Sequence, residues 1–418
     1  MAGLRIQGLH TLQGTIAVHG AKNSALPILA ATLLADGVSE ISNCPRLSDV
    51  DASVAILREL GCRVIRQEDR VSVDTAGFCK NAVSPRLMRE MRSSIVFLGA
   101  ILARAGEAHL SFPGGCELGP RPIDLHLAAL KRLGAVIEEE RGQLHCYRYG
   151  RLKGAVITLA FPSVGATENI LLAAVTARGT TRIINAAREP EIRDLCEYLN
   201  ACGAKICIEG EGHITIEGVA RLHGAAFSVM PDRIETATYM AAAAVTGSTL
   251  SLTGTRPETV QPVFAAFEEA GCALCVKERE IVIAAPSRLR PIKELRTMPY
   301  PGFPTDAQAP IMVMAALADG TSVMVETIFE NRFKYVGELN RMGAKIKVVG
   351  RVALAEGVPR LFGAEVDCTD LRGGAAMVLA ALAAEGESRI GTLCHIDRGY
   401  QDLVECLQNV GACIHREV

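Results

Sequence analysis

Two kinds of apolar stretch alternate along the chain. Runs such as Ala241 to Val245 and Ile311 to Leu317 are apolar on nearly every side, and a helix with that pattern belongs in the interior. Other stretches are amphipathic at helical spacing, and each stops at one signature: Leu60-Gly61-Cys62, Leu133-Gly134-Ala135, Cys202-Gly203-Ala204, Ala270-Gly271-Cys272, Met342-Gly343-Ala344 and Val410-Gly411-Ala412. Successive glycines of this set are 73, 69, 68, 72 and 68 residues apart. A second set, Gly37, Gly106, Gly179, Gly247, Gly320 and Gly386, keeps the same interval, each after an alanine-rich apolar run. Both sets stand where the end of a helix needs a left-handed residue. Short segments such as Ile214-Thr215-Ile216-Glu217 alternate apolar and polar positions, as strands with one buried and one wet face do.

The pattern predicts an α/β chain of six repeats of roughly 70 residues. Each repeat reads as an apolar helix, a glycine turn, a short strand, a polar loop, an amphipathic helix, the second glycine and two strands, with helices inside and sheets outside. Six such units exceed one core, so three per domain is the natural division. The last repeat ends at Ile414-His415-Arg416-Glu417-Val418 without its second strand, while strand-like runs at Leu4 to Gln7 and Thr15 to His19 precede the first helix. The N-terminus is therefore expected to complete the last repeat. This places one domain at 22–230 and the other at 1–21 with 231–418, facing each other across a cleft, with chain crossings near residues 21 and 230 as hinges.

Hydrophobic residues make up 49%, enough for large cores, and a net charge of −2 gives no reason to expect nucleic acid or an anionic membrane as partner. The N-terminal segment has no signal-peptide core and no apolar run is long enough to span a membrane, so a cytoplasmic location is expected. Several of the 14 cysteines, Cys62, Cys272 and Cys413 among them, stand where other repeats carry small or aliphatic residues, and read as small hydrophobes in a reducing compartment. The pair Cys272 and Cys275 has no second pair and no nearby histidine, so no metal is expected.

Departures from the repeat mark the candidate chemistry. An arginine precedes every amphipathic helix: Arg46, Arg121, Arg188, Arg256, Arg332 and Arg398. The first turn of the apolar helices, or the residues just before it, is often charged, as at Lys22, Arg92, Asp232-Arg233, Asp306 and Asp370-Leu371-Arg372. A cation at a helix N-terminus opposes the macrodipole, a cost that an anionic partner offsets. Arg46, Arg188 and Arg256 read as partners of loop acids, Arg188 and Arg256 with Glu189 and Glu258. Lys22, Arg121 and Arg398, with glycine or small neighbours, read as anion ligands. The loop of the second repeat is abnormal: Pro113 to Pro122 reads PGGCELGPRP, a long shaped excursion with Cys116 at its tip and Arg121 at its base. A thiol so placed is a candidate acid or nucleophile.

These residues resemble one family from end to end. Gly20-Ala21-Lys22-Asn23-Ser24-Ala25, the Pro113 to Leu125 loop, Ser163-Val164-Gly165-Ala166-Thr167, Asn185 to Glu191, Met230 to Thr236, Phe303 to Gln308, Phe329 to Phe333, Asp370-Leu371-Arg372 and His395 to Tyr400 together are similar to the UDP-N-acetylglucosamine 1-carboxyvinyltransferases. The resemblance implies two inside-out α/β barrel domains, no cofactor, and transfer of the enolpyruvyl group of phosphoenolpyruvate to the 3′-hydroxyl of UDP-N-acetylglucosamine, the first committed step of peptidoglycan precursor synthesis. It implies Cys116 as proton donor and as the thiol that fosfomycin alkylates; a thiol with pKa of about 8.5 is largely protonated at neutral pH. Asp306 is implied as the base at the sugar hydroxyl, and at the head of a helix it also reads as an N-cap. Lys22, Arg121 and Arg398 match the phosphoenolpyruvate and phosphate cluster, joined by Arg92. Asn23, the run Arg121-Pro122-Ile123-Asp124-Leu125 and Ile328 match sugar-nucleotide contacts, Ser163-Val164-Gly165 matches the diphosphate cradle, and Arg332, within the resembling run Phe329 to Phe333, is expected to bind substrate. Asp370 and Arg372 correspond to residues linked to turnover.

Two departures stand out. Some members carry a lysine where this chain has Phe161 before Pro162, which removes a diphosphate cation. Gly373-Gly374 reads as more flexible than alanine, at about 1 kcal/mol each in helix stability. The competing readings are the shikimate-pathway enolpyruvyl transferase, which shares the fold but lacks the cysteine loop; a paralogue acting on another uridine nucleotide; and a UDP-sugar sensor without turnover, against which Cys116, Lys22 and Asp306 stand.

Overall fold

Local backbone geometry follows the glycines. In the computed structural model, which describes residues 3–114, 123–210 and 212–417, Gly61, Gly134, Gly203, Gly271, Gly343 and Gly411 all take φ between +94° and +101°. The second set is also left-handed throughout, from +63° at Gly247 to +144° at Gly320. At these positions a side chain would be strained, so the helix ends are fixed by the sequence itself.

The structure is mixed α/β and its contacts divide the described residues into two units, one from Gly20 to Met230, the other of the residues up to His19 together with Pro231–Val418. Each unit holds three apolar helices. In the first these are α1 (Lys22–Thr32), α2 (Phe97–Ala105) and α3 (Val164–Ala174). In the second they are α4 (Arg233–Val245), α5 (Gln308–Ala316) and α6 (Leu371–Ala383). Every residue of α5 is buried, and all but one in each of α1, α4 and α6. Helices this apolar gain by packing on one another, and they do: α2 packs on α1 and α3, and α4, α5 and α6 pack mutually. The α2–α3 contact is so close that a Cβ on Gly99 would lie 2.5 Å from the backbone oxygen of Asn169.

The sheets repeat one topology. In the last, Glu365–Asp367 runs parallel to Glu387–Gly391, and the N-terminal strand Gly3–Gln7 inserts antiparallel between Glu387–Gly391 and Cys413–Glu417. In another, Gln13–Ala17 runs parallel to Thr249–Thr253, which pairs antiparallel with Glu280–Ala284 and through it with Ala273–Lys277. Burial alternates along these strands, as in Val352–Glu356, so each sheet gives its unit one apolar face. Cys272, just before the strand Ala273–Lys277, is buried, and Cys275 within it is exposed.

In the first unit the interior helices share a direction. Leu34, Ala103 and Thr176, each at or just past a C-terminus, line one cavity of ≈ 180 Å³. Arginines satisfy the terminal carbonyls there: Arg148 Nε donates to Leu102 O at 3.0 Å and Arg151 Nε to Thr176 O at 3.0 Å. Cations at that end complement the dipoles. The opposite end, where Lys22, Arg92 and Ser163 stand, therefore presents three N-termini with positive partial charge. Among the described residues, no helix is long and apolar enough to cross a membrane.

Candidate active site

In the first unit the described cationic candidates, Lys22 and Arg92, lie at those N-termini. Lys22 opens α1 with its side chain buried, and its Nζ lies 3.2 Å from Asp49 Oδ2. Beside it Ser24 Oγ donates to Asp194, whose Oδ2 also accepts Met230 N at 3.1 Å. Asn23 is the one α1 residue not buried. Arg92 opens a 3-10 turn, Arg92–Val96, ahead of α2, and its Nη1 reaches Gly114 O at 3.3 Å. Ser163 caps α3, accepting from Ala166 N at 3.3 Å, and Val164 and Gly165 follow it half-buried. Phe161, the residue that replaces a lysine, is 44% exposed at the approach to this turn. Of the loop run, Ile123 is buried, Asp124 is exposed at the start of the helix Asp124–Arg132, and Leu125 is half-buried. Cys116, Arg121 and Pro122 lie outside the described residues.

Three residues the sequence reading passed over organise this end. Asn169 is fully buried on α3; its Oδ1 accepts Gly99 N at 2.7 Å, and its Nδ2 donates to Ile95 O and to His126 Nδ1 at 2.8 Å. His126 Nδ1 is then an acceptor, so the neutral ring carries its proton on Nε2. Burial, with Arg92 adding to it, pushes the His126 pKa down to about 4, so the ring is neutral at physiological pH. It sits against the cradle: a Cβ on Gly165 would lie 2.8 Å from His126 Cε1 and 3.2 Å from Nε2. Glu168, also on α3, is pushed up to about 8 by burial, then by Glu191 and Glu189. The signal available in the sequence was the polar triplet Thr167-Glu168-Asn169 inside an otherwise apolar helix.

In the second unit one carboxylate gathers two arginines. Asp306 lies in a 3-10 turn, Thr305–Ala307, that leads into α5. Arg332 Nη2 reaches its Oδ1 at 3.0 Å and Arg372 Nη2 its Oδ2 at 3.2 Å. Both arginine side chains are 2% exposed and the aspartate 28%. The expected N-cap is not found: Asp306 makes no capping bond, because the 3-10 turn carries its side chain away from the N-terminus of α5 toward the guanidinium groups. Capping falls instead to Asp232 on α4 and Asp370 on α6, whose Oδ1 accepts Arg372 N and Gly373 N at 3.0 Å.

Arg332 is further fixed by Nε and Nη2 bonds to Thr305 O, at 3.1 and 2.7 Å. Its burial makes it a support of Asp306 more than an open ligand. Burial works against the charge of Arg372, but Tyr400, Asp306 and Asp232 outweigh it and hold the guanidinium above its ordinary pKa. Its Nε and Nη1 meet no acceptor among the described residues, although buried donors are ordinarily satisfied. Arg398 ends the 3-10 turn Leu393–Arg398, half-buried, and Ile328 is held by a bond from its N–H to Glu326 at 2.7 Å.

Two expectations are corrected. Gly373-Gly374 is not a flexible point: a Cβ on Gly373 would lie 2.7 Å from Asp370 Oδ2, and one on Gly374 2.9 Å from Ile396 Cγ1, so the pair is small because the head of α6 is closely packed. Arg188 does not pair with Glu189; it is exposed, with no ion-pair partner among the described residues.

A family model described as EPSP synthase (3-phosphoshikimate 1-carboxyvinyltransferase) matches residues 6–407. The chain belongs to the EPSP synthase family. Within that family, it is 49% identical to UDP-N-acetylglucosamine 1-carboxyvinyltransferase 2 of Caldanaerobacter subterraneus subsp. tengcongensis, with 100% of both chains covered. It is 50% identical to UDP-N-acetylglucosamine 1-carboxyvinyltransferase 1 of Symbiobacterium thermophilum, over 97% of this chain and 93% of the other. Among solved structures, the enolpyruvyl transferase NikO from Streptomyces tendae superposes with a TM-score of 0.90 at 26% identity, covering 99% and 98% of the two chains. EPSP synthase from Acinetobacter baumannii matches at a TM-score of 0.77 and 19% identity over the whole of both chains, a likeness of fold alone.

Proposed function

We propose that this chain transfers the enolpyruvyl group of phosphoenolpyruvate to the 3′-hydroxyl of UDP-N-acetylglucosamine, releasing phosphate. The observation that carries the reading is identity of 49% over the full length to a relative of that name, against 19% to an EPSP synthase of the same fold. The family architecture of two inside-out barrels, each of three α/β repeats and bounded near residues 21 and 230, belongs to the same reading. So do a cytoplasmic location and a role in peptidoglycan precursor synthesis.

The chemistry needs an acid, a base and cations. A proton goes to the methylene carbon of phosphoenolpyruvate, the sugar oxygen bonds to its central carbon, and the hydroxyl proton leaves to a base. The adduct then loses a methyl proton and phosphate, which restores the vinyl group. Asp306 is the base: two guanidinium groups hold its carboxylate in place, and its remaining exposure leaves it accessible to a hydroxyl. Arg372, buried like Arg332, holds the other oxygen of that carboxylate, and its part in turnover follows by family correspondence. Lys22 and Arg92 supply charge at the helix N-termini, together with Arg121 and Arg398. In the turn Ser163-Val164-Gly165, where Ser163 N already bonds Phe161 O, the N–H groups of Val164 and Gly165 are offered to the diphosphate, with His126 behind them as a neutral support. Cys116 is the acid by family correspondence.

The test is phosphate release from phosphoenolpyruvate with UDP-N-acetylglucosamine, with shikimate 3-phosphate, or with neither. Release with the UDP-sugar alone is expected; release with shikimate 3-phosphate alone refutes the assignment.

A further inference from the structure

The outer face of one sheet in the first unit carries a cluster that the enolpyruvyl chemistry does not use. Glu107–Ser111, Gln143–Arg148 and Ala135–Glu140 form that sheet, with Gln143–Arg148 in the middle. His109 and His145 are directly opposite in the antiparallel register, and Glu138 faces His145 from the other side. Glu107, two residues before His109, shares its face, while Ala108 and Cys146 turn inward and are buried. Both Nε2 atoms converge on one oxygen: Glu107 Oε1 lies 2.8 Å from His145 Nε2 and 3.2 Å from His109 Nε2. The other nitrogen of His145 is already engaged, with Nδ1 3.2 Å from Glu138 Oε2. Glu138 is in turn held by Tyr147, whose hydroxyl donates to Oε1 at 3.1 Å.

We propose that this face binds a borderline divalent transition metal ion of the zinc class, with Glu107, His109 and His145 as ligands and Glu138 as the carboxylate that orients His145. The potential ligand atoms lie within 4.8 Å of one another. Zinc takes nitrogen and oxygen donors at about 2.0 to 2.2 Å, so loading requires only a small contraction of exposed side chains. Two imidazoles and one carboxylate, with a fourth position left to water, is an ordinary zinc donor set. A carboxylate on the far nitrogen of a ligating histidine fixes its tautomer and raises its basicity, which is the part Glu138 is placed to play. The two rings now stack at 4.4 Å with 7° between their planes. The ion needs both lone pairs in line, so binding must tilt the rings apart. As a plain surface network the cluster would add little to stability, and that role does not require both imidazoles to meet at one oxygen.

The experiment titrates the chelator-stripped full chain with zinc chloride by calorimetry, beside a His109→Ala/His145→Ala double variant. Cys79, Cys207, Cys275 and Cys394 are exposed and can also take zinc, so the quantity read is the difference between the two proteins. The wild type is expected to bind one more equivalent than the double variant, and Glu138→Gln to weaken that equivalent by about tenfold. Phosphate release by both variants should match wild type, which checks their folding. Should the double variant fail to fold, histidine-labelled wild type read by NMR carries the test: zinc must shift the His109 and His145 ring signals and remove their mutual stacking shift. Equal stoichiometry in the two proteins, or ring signals unmoved at saturating zinc, overturns the proposal.

Discussion

Replacing Asp306 by asparagine separates the two things its carboxylate can do, which are to neutralise Arg332 and Arg372 and to take a proton. The change keeps the shape and removes the charge. At an effective dielectric of about 20, a pair of unit charges about 4 Å apart interacts by about 4 kcal/mol. Two such pairs meet at this carboxylate, at N–O distances of 3.0 and 3.2 Å. The loss is smaller than their sum, because Asp306 is 28% exposed, Arg332 keeps Thr305 O, and Arg372 keeps the field of Asp232. A cost of about 2 to 4 kcal/mol follows, which a domain stable by 5 to 15 survives. Loss of a general base costs about 10²- to 10⁴-fold in rate. The expected variant is folded, binds UDP-N-acetylglucosamine within a few fold of wild type, and has a kcat at least about a hundredfold lower. Phosphate release at saturating substrates, calorimetric nucleotide binding and urea unfolding read these three quantities separately. Asp306→Glu supplies the control: it restores the charge, hence most of the stability, but shifts the carboxylate by one methylene and should stay slow. A folded Asp306→Asn protein that keeps more than a tenth of the wild-type kcat would refute the base assignment, leaving Asp306 as a counter-ion for two buried arginines.

Three further outcomes are expected. Cys116→Ala should bind the UDP-sugar yet lose turnover, while Cys116→Asp retains part of it and resists fosfomycin; wild-type rates from the alanine variant would remove Cys116 from the mechanism. His126 is held near pKa 4 in the folded chain against 6.5 in its ordinary state, so the unfolded chain binds the extra proton first and stability falls as pH drops through that window. The loss is about 3 kcal/mol; His126→Gln should not show it in urea unfolding across pH 7 to 4, and an imidazole signal titrating above pH 6 would contradict the assignment. Gly165→Ala forces a Cβ to within 2.8 Å of His126 Cε1, so the cradle or the ring must move and KM for the UDP-sugar should rise with kcat less affected; an unchanged KM would separate this turn from the diphosphate.

What was legible in the sequence is what depends on local pattern. All-round apolarity identified α4 and α5 as interior helices because the surface of a helix is set by its own residues. The glycine positions followed because a left-handed φ has few other occupants. Depth and pairing were not legible. Arg332 and Arg398 occupy equivalent places in their repeats, yet Arg332 is 2% exposed and bonded to Thr305 O while Arg398 is half-buried. His126 and Asn169 are 43 residues apart and meet only through the packing of two elements. The same holds for His109 and His145, whose facing positions follow from strand register and from nothing in their sequence spacing.

The three helix-head aspartates of the second unit show how the repeat frees one residue for chemistry. Asp232 and Asp370 stand at N-caps, and their Oδ1 atoms are taken by two backbone N–H groups each. Both residues are also buried, which closes their carboxylates to a substrate hydroxyl, whereas Asp306 stays partly exposed. Asp306 differs by one local change: Pro304 and the 3-10 turn after it replace the cap, so α5 begins at Gln308 without a side chain on its N-terminus. That helix gives up an interaction of about 1 kcal/mol, and the carboxylate is turned instead toward Arg332 and Arg372. Proline at this position thus makes a testable claim. Restoring a cap with Pro304→Ser, at the extended residue that precedes the turn Thr305–Ala307, lets α5 start one turn earlier and should raise stability while lowering kcat, because Asp306 would be drawn into the helix. A variant with higher stability and unchanged turnover would show that the 3-10 turn has no part in presenting the carboxylate.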